Sequence, residues 1–207
     1  MNRILIFIAF FLCQFYFSQN EPCGFVNGLQ EGHCIFFYDN GKVKQESDWK
    51  AGKQDGKYAS YFETGILKAK GQYKKDYKVG EWVYYDETGK MTGIEKYDGW
   101  KGNSYIEKGS VTYFHDNGKV KQTRRFLGNN NEGSYQTFYE SGKKETVGNY
   151  KNNEQDGKWQ TFYENGKLKT ESFFINGQRE GKRLLYKEDG TLDKTEFYEK
   201  GKLISTK

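Results

Sequence analysis

Rings, acids and glycines recur along this chain in a fixed phase. The phrase Tyr163-Glu164-Asn165-Gly166-Lys167 is centred on a glycine with counterparts at Gly41, Gly65, Gly89, Gly118, Gly142 and Gly190. The spacings are 24, 24, 29, 24, 24 and 24 residues. Four residues before each glycine stands a ring: Phe37, Tyr61, Tyr85, Phe114, Phe138, Phe162 and Tyr186. Two before it stands an acid: Asp39, Glu63, Glu87, Asp116, Glu140, Glu164 and Glu188. Nine before it stands a second glycine, from Gly32 to Gly181, and eight after it another ring: Trp49, Tyr73, Tyr97, Phe126, Tyr150, Phe174 and Tyr198. A fixed period of this size marks an array of small units that bury their apolar faces on one another.

Each unit reads as a β-hairpin. A turn pair flanked by runs rich in Tyr, Phe, Thr and Val is a hairpin signal, with about seven residues in each strand. The glycine supplies the positive φ that a tight turn needs. Asn40, Asn117 and Asn165 fit an Asn-Gly turn; Thr64, Thr88, Ser141 and Asp189 point to a longer one. No apolar stripe of helical period runs through the chain. Alternation then puts the residue two after the turn glycine (Val43, Leu67, Met91, Val120, Leu168 and Leu192, with Lys144 the exception) on the same face as the ring eight after it. Small residues such as Ala69, Gly71, Gly148 and Ser172 leave room between the rings. The expectation is an all-β fold, an elongated single-layer antiparallel sheet of about seven consecutive hairpins over residues 29–203. A segment over 20–28 caps it, and 204–207 form a tail.

Composition agrees with a thin core. Aromatics make up 18% of the residues, so rings must supply most of the apolar burial, at roughly 150–250 Å² each. The net charge of +5 is spread along the hairpin tips, where Lys42, Lys90, Lys119, Lys143 and Lys167 follow the turn glycine and the acids precede it. Two such rows largely neutralise each other. With no nucleic-acid module visible, this argues against nucleic acid as a partner. No catalytic constellation stands out. His33 and His115 occupy different repeat positions, and His115 takes the place of Tyr38, Tyr139 or Tyr163. The carboxylates recur with the period, and a single-layer sheet offers no deep cleft for an acid/base pair. The glycines resemble no phosphate loop. No catalytic residue, cofactor or metal site is expected.

Residues 1–19 lie outside the repeat. Asn2-Arg3 is followed by an almost wholly apolar run from Ile4 to Phe17 and then Ser18-Gln19, which reads as a secretory signal peptide cleaved near Ser18 or Gln19. The run is short for a spanning helix, which argues against an integral membrane protein after cleavage. The expected location is exported, periplasmic or extracellular, in the cell envelope. Cleavage leaves Cys23 and Cys34, an even pair that suggests a disulfide in an exported chain. Cys34 stands where Tyr58, Trp82, Tyr135 and Trp159 stand in other copies, so a bridge there would replace a ring as an end cap.

Two departures break the pattern. The fourth copy is preceded by a five-residue excess within Asp98–Tyr105, read as a bulged or longer inter-hairpin loop, with Trp100 its candidate partner contact. In the last copy Arg183 and Lys187 stand at positions that are mostly aromatic elsewhere, as in a polar terminal cap.

The unit G-x-W/Y-x-x-F/Y-Y/F-E-x-G-K-x-x-x-x-x-x-Y/F, cleanest from Gly157 to Phe174, resembles the MORN repeat in its bacterial variant form. The resemblance implies an elongated, twisted sheet of consecutive hairpins. It also extends to antitoxin components of YwqK-type toxin–antitoxin modules. It brings no catalytic residues with it. The expected function is a non-catalytic protein-binding or scaffold module in the envelope, whose partner is another protein or a cell-envelope polymer. An antitoxin or immunity-like protein that neutralises a toxin is the alternative. A membrane-associated or surface-apparatus component, with edge-to-edge self-association, is a third reading.

Overall fold

The computed structural model describes residues 23–101 and 104–207. Ser18 and Gln19, the candidate cleavage residues, lie outside the described residues. The first half of the chain holds β1 (Gly24–Val26), β2 (Leu29–Phe37), β3 (Val43–Lys50), β4 (Lys53–Tyr61), β5 (Leu67–Lys74), β6 (Tyr77–Tyr85), β7 (Met91–Tyr97), β8 (Trp100–Lys101) and β9 (Ser104–Tyr105). The second half holds β10 (Lys108–Phe114), β11 (Val120–Leu127), β12 (Asn130–Phe138), β13 (Lys144–Lys151), β14 (Glu154–Phe162), β15 (Leu168–Ile175), β16 (Gln178–Tyr186), β17 (Leu192–Glu199) and β18 (Lys202–Thr206). Sixteen of these strands form one open antiparallel sheet in chain order, and β8 and β9 pair only with each other. The fold is all-β, as the periodicity predicts, and no helix is present among the described residues.

The turns differ from a two-residue Asn-Gly reading. In the β4–β5 hairpin the amide of Phe62 donates to the Ile66 carbonyl at 2.8 Å, and that of Gly65 to the Phe62 carbonyl at 2.8 Å. This is a three-residue loop, a type I turn closed by a residue in the left-handed region. Gly65 holds that place with φ +91°, and the other six turn glycines do the same at +79° to +91°. The Asn copies use the same loop as the Thr and Ser copies. The two-residue turns, with both φ values positive, lie at the opposite edge of the array. They are Asn27-Gly28, Ala51-Gly52, Lys75-Asp76, Asn152-Asn153, Asn176-Gly177 and Lys200-Gly201. Positive φ at both central residues is the type I′ geometry, whose twist matches that of the strands it joins.

A β-bulge beside every glycine turn changes the assignment of faces. Ser60 pairs with Ala69, but the next residue, Tyr61, pairs with Leu67, and Lys68 is extra. The same shift occurs in all seven hairpins. Directly paired residues share a face and successive ones alternate. Leu67 therefore sits with Tyr61, on the face opposite Ser60, Ala69 and Tyr73. The expectation that Leu67 and Tyr73 share a face is thus corrected. The cross-strand pairs Phe37–Val43, Tyr61–Leu67, Tyr85–Met91, Phe114–Val120, Phe162–Leu168 and Tyr186–Leu192 form one apolar strip beside the turns. Lys144, opposite Phe138, is the one polar member.

The ring ladder occupies the other face. Tyr58, Tyr73 and Trp82 meet edge-on or tilted at centroid separations of 4.8–5.3 Å. Tyr135, Tyr150 and Trp159 repeat the cluster at 5.1–5.6 Å. Trp82 lies over Gly71 and Trp159 over Gly148, so that a methyl group on either glycine would stand 2.2–2.3 Å from an indole carbon. Trp82 is 2% exposed, although no second layer covers it. Each indole N–H donates to a carbonyl of the preceding repeat, Trp82 to Gln72 and Trp159 to Asn149, at 3.1 Å.

The ladder ends in two different caps. A disulfide joins Cys23 to Cys34, with the fully buried Cys34 at the place of a ladder ring and Cys23 just ahead of β1. At the other end Arg183 takes the ring's place and donates to Glu196 at 2.8 Å, while Lys194 and Tyr198 bond the same carboxylate. Arg179 stacks between Phe174 and Tyr198, 5.1 and 4.8 Å from their centroids.

Two outcomes follow from this packing. Gly71→Ala and Gly148→Ala should each lower stability by about 1–3 kcal/mol, because the indole must be pushed out of a filled site; denaturant midpoints measure it, and unchanged midpoints would refute the close approach. The bond from Lys194, with further bonds from Arg183 and Tyr198, holds the Glu196 carboxyl down at about 2 against an ordinary 4.5. A depressed folded value stabilises the fold above pH 4.5, and that stability is lost as pH falls from 4.5 through about 2. Melting curves across this window should show Glu196→Gln with the shallower pH slope.

Candidate functional site

Most of the recurring polar side chains are used to join one repeat to the next. The hydroxyls of Tyr38, Tyr139 and Tyr163 donate to the carbonyls of Tyr61, Phe162 and Tyr186 in the following repeat, at 2.6–2.7 Å. His115 replaces such a tyrosine, and its Nε2 makes the equivalent bond to Phe138 at 2.7 Å. Asn40, Asn117 and Asn165 accept from the lysine amide of their own turn and donate Nδ2 to the carbonyl of Glu63, Glu140 and Glu188. Lys42, Lys119 and Lys167 extend to the carbonyls of Thr64, Ser141 and Asp189 at 2.6–2.9 Å. These lysines are therefore staples to the next turn rather than a free basic row. Lys90 instead pairs with Asp116 at 2.7 Å.

The departures from the period gather at the junction of the third and fourth repeats. The five-residue excess forms the small β8–β9 hairpin, closed by the Ile106 amide donating to the Gly99 carbonyl at 2.7 Å. Trp100 is the first residue of β8 and pairs with Tyr105. The Tyr105 hydroxyl donates to the Lys78 carbonyl at 3.0 Å, and the Tyr105 ring stacks on Tyr77 at 4.4 Å. The inserted hairpin thus grips the start of β6. From there the Lys78 ammonium reaches the ladder face, 4.7, 5.3 and 5.5 Å from the centroids of Trp82, Tyr84 and Tyr97.

Glu95 is the centre of this cluster. It occupies the ladder position that holds Ser47, Gly71, Gly148 and Ser172 in four other repeats, Arg124 in the fourth and Glu196 in the seventh. Its Oε2 accepts from the Tyr84 hydroxyl, from Tyr97 at 2.9 Å and from Lys78 at 3.2 Å, and Lys78 also donates to the Tyr84 oxygen at 2.7 Å. Burial works to raise the Glu95 carboxyl, but the bonds from Tyr84, Lys78 and Tyr97 outweigh it and hold it below its ordinary value. Burial, with the Glu95 bond and charge, pushes Tyr84 and Tyr97 well above the usual phenol range. At neutral pH Glu95 is therefore a carboxylate and Tyr84 and Tyr97 are protonated phenols. Beside this cluster lies a depression of about 310 Å³ lined by Tyr84, Gly93, Glu95, Val111 and Tyr113, with Thr92 and Ile94 of the same strand as Glu95.

Away from the apolar strip beside the turns, the face opposite the ladder is polar. His33 and Asp48 share a hydrogen bond of 2.8 Å across its strands, and paired charges cross them at Lys96–Glu81, 3.3 Å, and Lys158–Glu171, 3.1 Å. Two depressions of about 640 and 400 Å³ share Gly80 and Glu81, so that they form one shallow trough across several strands. Its walls carry both signs of charge: Glu46 and Glu81, and Lys57, Lys70, Lys96 and Arg125.

The structure does not bring the candidate residues of the sequence into one site. Cys23 and Cys34 are at the N-terminal end, the turn glycines line one edge, and Trp100 alone lies at the Glu95 junction. Among the described residues no group of three His, Cys, Asp or Glu could hold a metal. Lys78, Tyr84, Glu95 and Tyr97 were not singled out by sequence reasoning. The available signal was an acid at a ladder position that is small in most copies. Glu95→Gln should bring two phenols, Tyr84 and Tyr97, to a lower pH in a tyrosinate absorbance titration, and a curve identical to that of the parent would show that Glu95 does not hold them.

Comparison with known families agrees with this geometry. The family model described as MORN repeat variant matches residues 30–51, 54–75, 78–98, 107–127, 131–152 and 155–176, more than half of the chain. The seventh hairpin, with Arg183 and Lys187, lies outside the matched stretches. No curated protein matches the chain.

Proposed function

We propose that this chain, which belongs to the MORN repeat variant family, is an exported, non-catalytic binding module of the cell envelope that holds a protein partner along its polar face. The observation that carries the reading is the trough centred on Glu81. Adjoining depressions whose walls carry both signs of charge suit a polypeptide carrying both signs better than a uniformly anionic surface. The lysines of the turns do not form a uniformly basic row for phosphate or anionic lipid, because an acid precedes each turn glycine and Lys90 is paired with Asp116. The low carboxyl value of Glu95 also argues against a proton-shuttling role for that group near neutral pH. Export rests on residues 1–19, and an immunity role against a periplasmic toxin is one form that such binding could take.

Two measurements test this reading. Fractionation with mass analysis should find the chain in the envelope or medium with its new N-terminus near Asn20; an intact cytoplasmic chain would refute export. Cross-linking in envelope extracts should capture one specific protein, and charge reversal at Glu81 and Lys96 together should weaken that capture by about tenfold or more. Capture that is absent, or indifferent to the reversal, would remove the trough as the binding surface.

A further inference from the structure

We infer that the depression beside Glu95 is a binding subsite for one neutral sugar ring, on the ladder face and separate from the trough. This inference goes beyond the proposed protein-binding role and does not depend on it.

Every donor among the described residues that reaches Glu95 (Tyr84, Lys78 and Tyr97) bonds to Oε2. The depression is lined by Glu95 itself, so Oε1 is the acceptor left for a ligand. An ionised carboxylate accepts hydrogen bonds only, so the complementary ligand group is a donor. Charge then narrows the donor. The Lys78 ammonium stands 3.2 Å from Glu95 and neutralises it. A cationic amine entering the site would meet that ammonium at short range, and an anion would meet the carboxylate. A neutral hydroxyl pays neither cost.

The walls indicate what carries the hydroxyl. Tyr84 and Tyr113 flank the depression, Gly93 and Val111 also line it, and Tyr113 is 40% exposed. Aromatic faces carry partial negative charge and attract the weakly positive C–H groups on the flat side of a sugar ring. A few fixed polar groups among apolar and aromatic walls are the usual composition of a small-molecule site, and 310 Å³ is at the small end of the range of about 300–1,000 Å³. One ring fits that size, with the rest of a polymer left in solvent. The site is also built rather than incidental. Tyr105 of the inserted hairpin bonds the Lys78 carbonyl, and Lys78 bonds both Glu95 and Tyr84, so the acceptor is held in place before a ligand arrives.

The purified chain is to be titrated with glucose, N-acetylglucosamine and short N-acetylglucosamine oligomers, with putrescine as the cationic control, by saturation-transfer NMR and tyrosine fluorescence. The expected result is saturable binding of at least one sugar and none of putrescine. Tyr113→Ala, a surface change that leaves the Glu95 cluster intact, should weaken sugar binding at least tenfold, and Glu95→Gln should do the same with circular dichroism unchanged. The charge-reversed trough variant should bind sugar as the parent does. Binding of putrescine in place of sugar, no binding at all, or sugar binding indifferent to Tyr113→Ala would each overturn the assignment.

Discussion

A sheet with no second layer has to bury its apolar surface against itself. Everything else in this molecule follows from that constraint. The solution is to lay each large ring across a residue with little or no side chain. Trp82 covers Gly71, Trp159 covers Gly148, and the ring of Trp49 donates its N–H to the buried Ser47. Each ring of roughly 150–250 Å² then contacts the ring of the next repeat rather than a distant part of the chain. Stability becomes a chain of nearest-neighbour terms, and the two ends need special treatment. One end receives a disulfide at a ring position, the other an Arg183–Glu196 pair and an arginine stacked between two rings.

The same constraint explains where the polar groups go. Tyrosine hydroxyls, asparagine amides and lysine ammoniums at the turns bond to carbonyls one repeat further on, so they fix the spacing between hairpins. Residues that obey the period are therefore committed to structure. Distinct chemistry can appear only where the period breaks. Between the third and fourth repeats the break is coordinated. An inserted hairpin grips Lys78, Lys78 meets Glu95, and Glu95 replaces the small residue that would otherwise lie under a ring. Near Gly56, Gly80, Gly133, Gly157 and Gly181 the register with the preceding strand shifts, and at Gly109 it does not. Gly109 pairs regularly with Tyr97, and a methyl group on it would stand 1.8 Å from the Lys96 carbonyl oxygen.

The period, the hairpins, the chain-order sheet and the two rows of rings were legible in the sequence, because they depend on local turn chemistry repeated seven times. The facing of Val43, Leu67 and their counterparts was not. Simple alternation assumes one residue per pair, and one extra residue, such as Lys68, moves the whole strip to the other face. The type of turn was misread for a similar reason: Asn40-Gly41 has the composition of a two-residue turn, yet its asparagine serves as a side-chain bridge within a longer loop.

The candidate site was the least legible part. Glu95 looked like one charged residue among many, and Lys78 and Tyr84 lie 17 and 11 residues from it. By itself the sequence determined a repeat array and its hairpins, since those follow from spacing and from residues that only turns or close approach require, whereas the stretch expected as a tail over 204–207 belongs in large part to strand β18. Only the tertiary structure decided which side chains share a face, which carboxylate is gripped by three donors on one oxygen, and where that leaves an open acceptor. Those outcomes depend on register shifts of a single residue and on contacts between strands, which no count along the chain contains.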